Sequence, residues 1–184
     1  MDIVSRAKNI IVSPNTEWPV IAGEQTPLAA LYSGYICILA TIPAVATLIG
    51  AVLGGLPVSW GLRIAVMSYV IALVMVFLMA FIVAKLAPTF GGQDNMDQAL
   101  KLVAYSYTPA WVAGILNVIP RLGIVALIAG LYSLYVLYLG IPVLMKSPSD
   151  KSVVYTVAVV ISAIVLTVVL SMVLGGILVG SAMM

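Results

Sequence analysis

Long apolar runs, broken at intervals by one or two charges, set the rhythm of this chain. The uncharged stretches are 25–62, 64–84, 102–120, 122–145 and 152–184. A helix needs about 20 apolar residues to cross a hydrocarbon layer roughly 30 Å thick, so the pattern predicts five spans, near 28–55, 64–86, 101–119, 122–144 and 153–174. Dividing the first run at Pro43 would leave halves of about 15 residues, too short to cross. One kinked span is expected instead. Thr26 suits its N-cap and Pro27 its first position, while Gly54, Gly55 and Pro57 end it and Trp60 suits a membrane interface.

Two shorter patterns lie outside the spans. In "MDIVSRAKNIIVSP", Ile3, Val4, Ala7, Ile10 and Ile11 recur at helical spacing with Arg6 and Lys8 among them. The stretch reads either as a short interfacial helix or as a simple topogenic flank. Trp18 would anchor the following piece at the headgroups, and the charges scattered over 1–27 argue against a cleaved signal peptide. In "GGQDNMDQALK", Asp94 followed by Asp97 reads as a helix N-cap with an acidic first turn. A cation site there would need Glu17 and Glu24 folded beneath the loop, because hard cations want about six oxygens.

Composition sharpens the class. Of 184 residues, 64% are hydrophobic and 8% charged, with mean hydropathy +1.23, whereas soluble domains run near a quarter charged. The expected fold is therefore all-α and polytopic: a cytoplasmic arm over 1–27 and a single five-span membrane domain over 28–184. Histidine is absent, which removes the commonest general base and metal ligand. No enzyme activity or cofactor is expected. The single cysteine, Cys37, allows no intrachain disulfide, and a net charge of +2 gives no reason to expect nucleic acid.

Charge position says more than charge total. With the amino terminus inside, Arg6, Lys8, Lys85, Lys101, Lys146 and Lys151 fall on the inner side and only Arg63 and Arg121 outside. The positive-inside rule then predicts a cytoplasmic amino terminus and an external carboxyl terminus. Any partner surface is expected on the inner face, from Glu17, Glu24, Asp94, Asp97, Lys101, Lys146 and Lys151. Gly50 with Gly54, and Gly176 with Gly180, offer two small-residue pairs compatible with a homo-oligomer.

Polar groups inside the runs concentrate in the third and fourth. Pro109 lacks an N–H and should kink the third span, freeing the carbonyl of Tyr105. Thr108 and Asn117 add polarity there, and Tyr132, Tyr135 and Tyr138 fan over about a third of the fourth helix. The third and fourth spans are expected to pack together, with a hydroxyl of the fourth on that freed carbonyl or on a polar group nearby. These residues read either as packing devices, with interhelical hydrogen bonds, or as the lining of a path for an ion or small polar solute. The absence of any Asp, Glu or His inside the spans weighs toward packing.

The phrases "YSYTPAW" and "LYSLYVLYLG", together with a short arm and five spans, resemble the Yip family of Ypt/Rab-interacting membrane proteins. Tyr107-Thr108-Pro109 is similar to the family's aromatic-Thr-Pro element. Tyr132, Tyr138, Leu139 and Gly140 are similar to its tyrosine-rich fourth span, and Pro148 and Lys151 stand where bacterial members carry a Pro and a Lys. The resemblance implies a membrane scaffold or adaptor. Eukaryotic members partner Rab-type GTPases through a long acidic-aromatic arm that this chain lacks, so that activity does not carry over. The compact form resembles a bacterial inner-membrane member, with the bilayer and an unidentified cytoplasmic protein as its expected partners.

Overall fold

The computed structural model describes residues 2–119 and 122–182. Every regular element among them is helical. The arm forms α1 (Ile3–Val12) and α2 (Pro14–Gly23). The long helices are α3 (Leu28–Leu53), α4 (Val58–Leu86), α7 (Gly123–Leu144) and α8 (Ser152–Ala182). Between α4 and α7 lie α5 (Met96–Ser106), α6 (Thr108–Ala113) and a tight turn of helix over Gly114–Val118.

Among the described residues, four helical stretches are long and apolar enough to cross a bilayer: Leu28–Leu53, Val58–Phe90, Leu127–Leu144 and Ser149–Leu170. The expected third span is a broken element instead. The N–H of Tyr107 closes α5 on the Val103 carbonyl at 3.1 Å, and that of Trp111 opens the next turn on the Tyr107 carbonyl at 2.9 Å. Pro109 has no N–H to carry the ladder between them. The segment nonetheless runs alongside α3 in the same direction. The Thr108 hydroxyl meets that of Tyr35 at 2.8 Å, Gly114 lies against Pro43, and Asn117 lies against Gly50. Gly50 is thus committed within the chain, since a Cβ there would strike the Asn117 backbone. The surroundings of Gly176 and Gly180 lie outside the described residues.

Local starts and stops differ from expectation in two places. Pro27, not Thr26, caps α3, and Thr26 makes no capping bond. Asn95, not Asp94, caps α5, its side chain accepting the Gln98 N–H at 3.1 Å. Asp94 instead pairs with Lys85 across the solvent-exposed loop at 2.6 Å. At the other end of the bundle, Trp60 lies within α4 and stays exposed.

The core is continuous from arm to spans. Ile10, Trp18 and Ile21 of the arm are fully buried in one apolar cluster with Ile36, Val83, Leu102, Val136, Ile141 and Tyr155. The arm is therefore part of the bundle, not a helix lying on a separate surface.

Candidate functional site

Helical spacing places Arg6 on the same face of α1 as Ile3 and Ile10, and that face turns inward. The guanidinium is 4% exposed and bonds the carboxylates of Glu17 and Glu24. Asn9 donates to the second oxygen of Glu17 at 3.2 Å. A buried carboxylate needs this degree of partnering, because desolvating an unpaired charge costs several kcal/mol. The Arg6 guanidinium also lies 5.7 Å from the ring centre of Tyr105 on α5. Tyr105 in turn stands edge-on to Tyr35 at 4.6 Å and to Trp18 at 6.5 Å. One ring thus joins the arm, α3 and α5.

Trp18 is the arm's anchor. Its surface is 0% exposed, and its indole N–H donates to the carbonyl of Val136 on α7 at 3.1 Å. The approach depends on Gly140, where a Cβ would lie 2.7 Å from the indole and 2.5 Å from Leu102. The headgroup role expected for Trp18 is therefore corrected. Tyr132 completes the clamp by donating to the Ile11 carbonyl at 2.6 Å, which satisfies one of the acceptors left over at the end of α1. The carbonyl end of α2 is met likewise. Lys101 donates to the carbonyls of Ile21 (3.4 Å) and Glu24, and Gln98 to that of Ala22 (3.4 Å). An ammonium at a helix carboxyl end also opposes the helix dipole.

A polar cleft of about 480 Å³ opens beside this junction, lined among others by Arg6, Glu24, Thr26, Tyr35 and Tyr105. The loop ends of the bundle lie at the same pole. Gln93 donates its N–H to the Met145 carbonyl at 2.8 Å, and the Ser147 hydroxyl donates to the Phe90 carbonyl at 2.9 Å. Lys146, two residues past the end of α7, takes a left-handed conformation, φ 53°, and its side chain is exposed, as are those of Asp150 and Lys151.

The structure divides the residues selected from the sequence into three groups, at the arm junction, exposed around it, and along the helix break and α7. Glu17, Glu24, Lys101, Tyr105 and Tyr132 come together at the arm junction. Asp94, Asp97, Lys146 and Lys151 are exposed around it. Glu17 and Glu24 face Arg6 instead of Asp94 and Asp97, and no group of three acidic, cysteine or histidine side chains able to hold a metal occurs among the described residues.

Thr108 and Pro109 are buried at the helix break, while Asn117 is exposed and reaches Thr47 at 3.5 Å. Tyr135 is 48% exposed, and Tyr138 is half-buried. No tyrosine of α7 bonds the Tyr105 carbonyl; a hydroxyl of α7 meets a polar group nearby instead. The Tyr132 hydroxyl is used by the arm, and the bond that α7 makes at the break comes from Ser133, whose Oγ accepts the Ala110 N–H at 3.2 Å. Arg6 could have been singled out as a charge on an apolar helix face. Trp18, Tyr35 and Ser133 carry no comparable local signal, since their partners are remote in sequence.

These features define a polytopic helical membrane protein with an arm folded into one end of its bundle. The Yip1 domain model matches residues 8–178, and the chain belongs to that family. It is similar to the inner membrane protein YohC of Escherichia coli K12 and to its counterpart in E. coli O6:H1 strain CFT073. Each is 27% identical over 152 residues, covering 76% of this chain and 78% of the relative. No solved structure matches the chain.

Proposed function

We propose that this protein is a non-enzymatic scaffold or adaptor of the inner membrane, acting through the pole that carries the arm. The carrying observation is that α1 and α2 are locked into the core by Trp18 and Arg6. The arm and the two loops thereby form one preorganised surface instead of a flexible tail. Around it stand the exposed side chains of Lys8, Lys85, Asp97, Lys146 and Lys151. Preorganisation lowers the ordering cost of binding, and with Asp94 and Asp150 also exposed the surface offers charges of both signs for a complementary partner.

Two further statements belong to this reading. The broken segment 96–118 serves as a fifth crossing. Stacked end to end its pieces would extend about 35 Å, and its far part lies beside Gly50, near the end of α3. The arm pole faces the cytoplasm, because it holds Arg6, Lys8, Lys85, Lys101, Lys146 and Lys151, whereas Arg63 lies at the other end of α4. Both relatives are inner membrane proteins, which supports the same membrane for this chain.

The test is site-specific photocross-linking in native membranes from Lys8, Asp97 and Lys151, with Leu56 as the opposite-pole control. A reproducible protein adduct from the arm pole alone is expected. Adducts of lipid only, at every position, would contradict the adaptor reading. The broken helix favours a second reading, a solute path. A flux in liposomes that is lost on changing Thr108 or Ser133 would move the assignment there.

A further inference from the structure

The Ser106 hydroxyl is out of place. The residue is 4% exposed, and its Oγ has no hydrogen-bond partner. A serine in a helix can usually satisfy its hydroxyl on the carbonyl four residues back, and an unmet buried donor is costly. Ser106 lines a cavity of about 120 Å³ whose other walls include Met79, Ser133, Leu137 and Val159. Ser133 accepts the Ala110 N–H through its oxygen. That leaves its hydroxyl proton available, so two serine hydroxyls lacking an acceptor face a chamber whose remaining lining is apolar apart from Tyr107.

The mouth of the cavity lies between α7 and α8. Leu134 is exposed there, and Gly130, Val160 and Ala163 are half-buried. A Cβ placed on Gly130 would meet nothing within 4 Å. The entrance therefore opens to hydrocarbon. No charged side chain lines it, which excludes an ionic ligand. Depth excludes a glycerolipid ester. Ser133 sits midway along the 22-residue α7, about 15 Å from its start, whereas ester carbonyls lie at the interface. Size sets the remaining limit, since an apolar cavity of about 150 Å³ accepts a benzene ring.

We propose that this cavity binds a neutral, membrane-soluble molecule that presents a carbonyl-type oxygen to Ser106 and Ser133 from a small apolar body. The proposal rests on the intrabundle hydroxyls and is independent of the adaptor surface at the arm pole.

A matched pair of probes small enough for the cavity tests it: fluoroacetone, which carries the ketone, and 1-fluoro-2-methylpropane, of the same shape and size, which does not. Binding to the full chain in nanodiscs is followed by fluorine NMR for the natural protein, Ser106→Ala and Gly130→Leu. Saturable binding of the ketone is expected, weakened about fivefold by Ser106→Ala, the value of one ordinary hydrogen bond. The fluoroalkane should bind the natural protein and Ser106→Ala equally, and Gly130→Leu should remove both. If Gly130→Leu does not fold, the Ser106→Ala comparison decides alone.

Non-saturating partition of both probes, or a ketone affinity unchanged in Ser106→Ala, overturns the proposal. Thermal unfolding supplies a second arm. Without ligand, Ser106→Ala should be no less stable than the natural protein, because its hydroxyl has no partner to lose. Clear destabilisation would mean an internal partner and would overturn it as well.

Discussion

Two tyrosines three residues apart on α7 separate what a phenol does in this fold. Tyr132 donates to the Ile11 carbonyl, while Tyr135 is about half exposed with its ring 5.8 Å from that of Tyr132. Tyr132→Phe should lower unfolding stability in detergent by about 1 kcal/mol, and Tyr135→Phe should leave it unchanged within error. Equal effects would remove the arm contact as the reason for the difference. The larger single-residue effect belongs to Trp18, whose truncation to Ala should cost about 3–5 kcal/mol by emptying a fully buried site. Helical spacing made Arg6 readable as a charge on an apolar face. It could not reveal that the hydroxyl α7 brings to the break would be that of Ser133, accepting the Ala110 N–H, because that choice depends on the rotation of α7 about its axis.

At the scale of elements, the arm is held by one buried ion cluster and one indole. Arg6→Met leaves Glu17 buried without its cation, and should cost about 3–5 kcal/mol while exposing α1 and α2 to protease. Adding Glu17→Leu should recover most of that loss, since the unpaired charge is then gone. Failure of the double variant to recover would place the arm's stability in the shape of the contact alone. Element positions followed from hydropathy wherever about 20 apolar residues summed to one signal, as in α3, α4, α7 and α8. The third segment escaped that sum. Pro109 announced a kink, but the full break at Tyr107 and the tight turn over Gly114–Val118 arise from packing against Pro43 and Gly50. The second arm helix was likewise unreadable, because Trp18 finds its partner on α7 through Gly140.

At the scale of the whole molecule, the arm shares one core with the long helices. Orientation can be read by impermeant thiol labelling in a Cys37→Ala background. Cysteines placed in 57–61 should react from outside, and those in 90–97 should not. Labelling of the 90–97 loop from outside would invert the pole. The family match extends over residues 8–178 and so takes in most of the arm, as expected if the arm folds with the spans. Hydrogen–deuterium exchange of the full chain in lipid nanodiscs tests that central claim most directly. Amides of Ile3–Val12 and Pro14–Gly23 should be protected to the same depth as those of α4 and α5, opening only when the bundle does. Exchange of both arm helices within seconds, while the spans stay protected, would contradict it.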